Sequence, residues 1–196
     1  DLNQVEDVIK KDNSVKVIIP VHYAGEPVDL KNLWDLAEKY GLFILEDAAQ
    51  GFGGSIRGKM AGSFGDIAAT SFFPAKPLGC YGDGGAIFTN DQELAKTMKS
   101  IRIHGSGSNK YENIRLGLNG RLDTFQAAIL LEKLKIFNKE LLLRNQVSSY
   151  YNTNIKSDLQ KQYIPKEYNS SWAQYSLIAN STQERTNIMS ILKKSN

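Results

Sequence analysis

A short apolar run, Ile44-Leu45, stops at two acids and then continues as Ala48-Ala49-Gln50. In parallel α/β sheets, ligands gather beyond the carboxyl ends of the strands, so Asp47 stands where a bound small molecule would meet a carboxylate. A short acid at such a place also serves as a loop or helix cap, and residue type alone does not separate the two roles. Lys76 follows 29 residues later, inside Ser71-Phe72-Phe73-Pro74-Ala75-Lys76-Pro77-Leu78-Gly79. The two prolines restrict the backbone on either side of it. A solvated lysine has no use for that confinement, whereas an amine that must meet a carbonyl carbon does. The next stretch, Gly79-Cys80-Tyr81-Gly82-Asp83-Gly84-Gly85, can turn tightly and let a ligand approach the backbone.

Two other patterns resemble sites and fail on their chemistry. Gly53 to Lys59 fits G-x-x-x-x-G-K, but Met60 stands where a Ser or Thr must bind Mg²⁺, and Ala61-Gly62-Ser63-Phe64-Gly65 does not read as the helix that should follow. His22, His104 and Cys80 lack the close spacing and the fourth partner of a zinc site, so no metal is expected.

The elements that must position Asp47 and Lys76 alternate along the chain. Short β-rich runs at Val15 to Pro20, Leu42 to Leu45, Ile67 to Phe73 and Ala86 to Phe88 read as strands of one sheet. Between the first two, Asp29 to Tyr40 carries Leu30, Leu33, Trp34 and Ala37 on one helical face, with Asp29 as expected N-cap and Gly41 as the stop. Strand, helix, strand in that order predicts a right-handed parallel crossover. Further helices are expected over Asp91 to Arg102, over Leu122 to about Tyr150, and over Thr182 to Lys194, with Asp1 to Lys11 as the end of another and Gln174 to Ala179 as a strand. The long helix spreads Phe125, Ala128, Ile129, Leu131, Leu134 and Leu141 over more than one face. It reads either as a buried connector or as a helix packed in a subunit interface. The fold class is α/β with a mostly parallel central sheet. A shift to Lys, Asn, Gln and Tyr near Tyr150 to Tyr168 divides the chain into residues 1–150 and residues 151–196.

Composition narrows the function classes. Of 196 residues 41% are hydrophobic, too many for a disordered chain, and 24 basic against 21 acidic side chains give +3, too little to predict nucleic-acid binding. The single Cys80 points to a reducing compartment, and no apolar run reaches the ~18 residues of a membrane span, so a cytoplasmic protein without a membrane partner is expected. The chain opens on Asp1 rather than Met, which places the true start upstream as an expectation.

Four ordered segments carry a resemblance. Glu46-Asp47-Ala48-Ala49-Gln50, Ser71-Phe72-Phe73-Pro74-Ala75-Lys76, Gly82-Asp83-Gly84-Gly85-Ala86 and Asn119-Gly120-Arg121-Leu122-Asp123 resemble the DegT/DnrJ/EryC1/StrS sugar-nucleotide aminotransferases, which are fold-type I enzymes using pyridoxal 5'-phosphate. Pro20-Val21-His22-Tyr23-Ala24-Gly25 and Ser171-Trp172-Ala173-Gln174-Tyr175 extend it. The resemblance implies the large, cofactor-binding domain over residues 1–150, with its long helix, and the start of a small C-terminal subdomain over residues 151–196. The chain would then be truncated at both ends relative to the family.

The resemblance also implies roles. Lys76 would attach the cofactor covalently and then move a proton between substrate and cofactor. Asp47 would keep the pyridine nitrogen protonated by direct charge attraction. Gln50 would bond the ring oxygen and Ser71 the phosphate. Asn119 would reach the phosphate of a neighbouring subunit, which implies a homodimer with shared sites. Arg121, planar and bidentate, would either meet the anionic part of a sugar nucleotide or close a salt bridge at the helix start. The implied substrate is a nucleotide-linked keto sugar, with glutamate as amino donor, and the Phe73 to Asp83 run is most similar to enzymes acting at C3 of a UDP-linked keto-glucuronic acid. The related dehydratases carry histidine at the position of Lys76, which speaks against them. A different class remains open: a folded scaffold or dimerisation module that no longer holds its cofactor.

Overall fold

The computed structural model describes residues 1–109 and 111–195; Lys110, in the predicted loop Gly105 to Gly120, lies outside the described residues. Helix α1 (Leu2–Lys11) is capped by the Asp1 carboxylate, and β1 (Val17–Ile18) leads through a 3₁₀ turn at Tyr23–Gly25 to α2 (Lys31–Tyr40) and β2 (Phe43–Asp47). A hairpin of β3 (Ser55–Ile56) and β4 (Lys59–Met60) occupies the region of the discarded phosphate-loop pattern. Then come β5 (Ile67–Ser71), β6 (Gly85–Phe88) and α3 (Gln92–Arg102).

The central sheet has the order β1-β2-β5-β6. The first two pairings are parallel and the last is antiparallel, which makes the sheet mostly parallel as expected. Asp29 does not cap α2. Leu30 takes the N-cap position, its side chain buried in the core, and the Asp29 carboxylate accepts from the Lys31 N–H one turn edge earlier. Gly41 ends the helix in the left-handed conformation, with open space where a Cβ would sit.

Helix α4 (Thr124–Asn154) starts two residues later than predicted, because the Asp123 carboxylate caps it by accepting from the N–H groups of Phe125 and Gln126. At ~1.5 Å per residue its 31 residues span about 46 Å. Leu130 and Phe137, two turns apart, bury into a cluster with Phe72, Leu78 and Cys80, and the Phe137 ring stacks on Phe52 at 5.7 Å. Ile129 and Leu141 are partly buried against the same cluster, whereas Phe125 is 81% exposed and Leu131 64%.

Beyond α4 lie β7 (Gln160–Lys161), β8 (Tyr168–Asn169), β9 (Leu177–Ile178) and α5 (Thr182–Lys194). The strand expected over Gln174 to Ala179 is confined to Leu177–Ile178, which pairs with β7; the residues before it make side-chain bonds to α4 instead, Trp172 through its indole to Asn145 and Tyr175 through its hydroxyl to Asn152. Strand β8 returns to pair with β3. No described helix is long and apolar enough to cross a membrane.

Register decides which residues share a face. Phe43, Leu45 and Asp47 alternate with Ile44 and Glu46 along β2, and Asp47 is paired with Ala69, so Asp47, Ala69 and Ser71 project from one face while Glu46 projects from the other. The second face is buried: Leu33 and Ala37 of α2 pack on Ile44. The face bearing Asp47 exposes Val17, Phe43 and Ile87.

Candidate functional site

Asp47 closes β2 at the carboxyl edge of the parallel strands. The chain that follows β1 runs alongside it: Asp47 N–H donates to the Pro20 carbonyl at 2.9 Å, and His22 N–H to the Asp47 carbonyl at 3.1 Å. One carboxylate oxygen, Oδ1, accepts from the Ala49 N–H at 3.0 Å, a turn contact that also leaves the carboxylate half-buried at the sheet edge. The acid thus caps a turn while standing at the sheet edge.

Gln50 lies in the turn that β2 enters. Its Oε1 accepts from the Ala24 N–H at 2.7 Å, and its own carbonyl accepts from the Ser171 hydroxyl at 2.6 Å. With the oxygen committed, the amide nitrogen remains as a donor. Ala24 takes φ 56°, a left-handed value unusual for a residue with a Cβ, and this turns its N–H toward Gln50.

Ser71 is the last residue of β5, and its Oγ accepts from the Phe73 N–H at 3.2 Å, leaving the hydroxyl hydrogen to donate elsewhere. Lys76 sits half-buried at the tip of the loop that follows, its N–H bonded to the Phe73 carbonyl at 2.9 Å. The base of that loop is closed by Cys80, which donates its N–H to the Phe72 carbonyl at 2.8 Å. Pro77, Leu78 and Gly79 are buried, and Lys133 of α4 donates to the Gly79 carbonyl at 2.6 Å. A Cβ on Gly79 would lie 2.5 Å from the Pro74 carbonyl oxygen, so only glycine lets the loop fold back on itself. Lys76 makes no ion pair with a described carboxylate.

Asn119 and Arg121 lie between α3 and α4. The segment leading into α4 is bound to the end of α3, with Leu118 N–H donating to the Ile101 carbonyl and Gly120 N–H to that of Arg102. Both residues are exposed, and Arg121 Nε donates to Asn119 Oδ1 at 3.0 Å. No hydrogen bond joins either of them to Asp47, Gln50, Ser71 or Lys76.

Sequence alone set His22 aside as a metal ligand and gave Glu46 no role. Both are completely buried, with Glu46 Oε2 accepting from His22 Nε2 at 2.8 Å. Glu46 also accepts from the N–H groups of Gly62, Phe64 and Gly65. Burial pushes its carboxyl upward, but these bonds to His22, Gly65 and Gly62 outweigh it and hold the acid below its ordinary range. A signal was available: consecutive residues of a strand face opposite sides, so one of two adjacent acids at a sheet edge must turn inward and find donors.

Residues 1–196 match the DegT/DnrJ/EryC1/StrS aminotransferase family over their whole length. The chain belongs to that family. It is 48% identical over 163 residues to the UDP-2-acetamido-2-deoxy-3-oxo-D-glucuronate aminotransferase of Pseudomonas aeruginosa, covering 83% of this chain and 45% of that enzyme. A DegT/DnrJ/EryC1/StrS aminotransferase from Brucella abortus superposes with TM-score 0.89 at 44% identity, over 97% of this chain and 52% of the other. The S. venezuelae DesV structure in complex with a ketimine intermediate superposes with TM-score 0.88 at 33% identity, over 97% of this chain and 51% of the other. This DegT/DnrJ/EryC1/StrS chain therefore has the expected α/β fold and spans about half the length of the relatives it matches.

Proposed function

We propose that this chain is part of an aminotransferase that uses pyridoxal 5'-phosphate to convert a keto sugar on a nucleotide into an amino sugar, for surface-polysaccharide or related biosynthesis. The observation that carries the reading is the common face and edge of Asp47 and Ser71, with Gln50 and Lys76 on the turns that leave the same edge. The donor set suits that cofactor: a carboxylate with one free oxygen, an amide with its nitrogen unspent, a hydroxyl with its hydrogen unspent, and an unpaired amine.

When bound, the cofactor supplies an electron sink for the carbon that loses or gains the proton. Asp47 would hold a proton on a ring nitrogen of the cofactor by charge attraction. Gln50 orients the ring through its amide nitrogen, and the Ser71 hydroxyl donates to phosphate. Lys76 would hold the cofactor through its Nζ, and the same amine would carry a proton between the reacting carbons. The loop closed by Cys80 and Gly79 limits how far that amine can stray.

Asn119 completes the phosphate site of a second copy, so the active form is a homodimer. Its exposed side chain beside α3 fits a role in trans, as does the apolar surface next to it, where Leu116 is 96% exposed and Phe125 81%. Arg121 takes the anionic part of the sugar nucleotide. The similarity to the P. aeruginosa enzyme favours a UDP-linked 3-keto-glucuronic acid as substrate, with glutamate as donor. The free Cys80 fits the cytoplasm. Residues 151–196 begin the second, smaller unit.

Absorbance spectroscopy tests the reading. Incubation with pyridoxal 5'-phosphate should give a visible band that borohydride bleaches and fixes to Lys76. An unchanged protein spectrum would favour the alternative of a folded scaffold that holds no cofactor.

A further inference from the structure

His22 and Glu46 form a closed unit on the face of the sheet opposite Asp47. The tautomer follows from the donors around the ring: His22 Nδ1 accepts from the Val28 N–H at 3.0 Å, so the proton must sit on Nε2, which donates to Glu46. The imidazole is neutral in this arrangement, and Glu46 is a buried anion compensated by dipoles alone. Its two oxygens take two donors each, Oε2 from His22 and Gly62, and Oε1 from Phe64 and Gly65. An anion without a cation, hidden from water, costs more than a neutral pair unless every lone pair is used.

The four donors belong to the segments that carry the candidate cofactor residues. His22 lies two residues before Ala24, whose N–H occupies the Gln50 oxygen. Gly62, Phe64 and Gly65 form the turn that feeds β5, which ends at Ser71. Glu46 itself precedes Asp47. A Cβ on Gly51 would stand 2.4 Å from His22 Cβ, so the turn holding Gln50 also packs against the ring.

We propose that the His22–Glu46 pair is the positioning device of the cofactor edge: one buried carboxylate sets the relative places of Asp47, Gln50 and Ser71 without touching the cofactor itself. The inference rests on the cofactor reading above. Glu46 accordingly has to accept at every contact. In Glu46→Gln the new amide NH₂ replaces one acceptor, and whichever oxygen it replaces, two donors lose their partner. His22→Gln is the gentler change, able to keep a donor toward Glu46 while losing the acceptor for Val28.

Amide hydrogen exchange and cofactor titration on the same proteins decide it. In Glu46→Gln, exchange at Ala24, Gly62, Phe64 and Gly65 should quicken about tenfold or more, as expected for loss of bonds to a charged acceptor, while the Leu130 to Phe137 stretch of α4 stays as in wild type. The dissociation constant for pyridoxal 5'-phosphate should rise about tenfold, and less in His22→Gln. Should Glu46→Gln not fold, His22→Gln alone must show both effects in the same direction. Quickened exchange spread equally through α4 would make the pair a general core element and overturn the proposal. So would local quickening with cofactor affinity within twofold of wild type. If the wild-type chain takes up no pyridoxal 5'-phosphate, the cofactor reading falls, and the exchange pattern alone decides the positioning role.

Discussion

Asp47 and Ser71 leave the sheet from the same face on adjacent parallel strands, with Ser71 two residues beyond Ala69, the register partner of Asp47. At ~3.3 Å per residue this offsets them by about 7 Å along the strand direction, so one small ligand could span from carboxylate to hydroxyl. Removing the Asp47 charge while keeping its shape tests this relationship. Asp47→Asn can still accept from Ala49 N–H and should fold normally, but cofactor affinity and transamination should fall by tenfold or more, about the worth of one close charge pair. Titration by absorbance checks affinity, and circular dichroism checks the fold.

Lys76→Ala should abolish the borohydride-sensitive band and turnover with little change in melting temperature, because the side chain is only half-buried and makes no ion pair among the described residues. Lys76→Arg should fail as well, since a guanidinium stays protonated and is a poor nucleophile. Normal turnover by either variant would remove Lys76 from the mechanism.

Asn119→Ala should leave the monomer's fold intact, since Asn119 is exposed and, among the described residues, its side chain bonds only Arg121. If it serves a second copy, cofactor affinity and dimer stability should fall together, because a ligand bound only by the dimer stabilises it by mass action. Sedimentation with and without pyridoxal 5'-phosphate measures both. A strict monomer that binds the cofactor at full strength would refute the shared site.

Acid should loosen α1 from α2 before it unfolds the sheet. Bonds to Lys39, Tyr40 and Lys10 lower the Glu6 carboxyl from 4.5 to about 2. A depressed acid contributes stability that is complete above its unfolded value and lost as pH falls through the folded one, so the contact should weaken between pH 4.5 and about 2. Exchange or NMR signals of α1 followed through that window should report it, and Glu6→Gln should flatten the response.

Gly51→Ala should destabilise the protein by about 1–3 kcal/mol, as an added methyl forced against a packed group does. The obstacle is His22 Cβ, 2.4 Å from the new atom, and His22 is held from both ring nitrogens. Denaturant unfolding gives the magnitude; a neutral result would mean that the ring and the turn separate more easily than their bonds imply.

The alternation of strands and helices, the Gly41 stop, and the placement of Asp47 at the end of one strand and Lys76 beyond another were legible because each depends on local periodicity or on one residue's backbone freedom. Family membership was legible for a different reason, since several motifs in fixed order are far more specific than any one. The cap of α2 was misplaced by one residue because burial of Leu30 outweighed the capping preference of Asp29. Only the tertiary structure gave the two adjacent acids their different surroundings. Glu46 and Asp47 are equivalent as residue types, and the strand's alternation says merely that they face opposite ways. Which face is buried depends on where α2 packs, and what satisfies the buried acid depends on His22 and on a turn 16 to 19 residues away along the chain. Such long-range donors are assembled by the fold, and no local pattern encodes them.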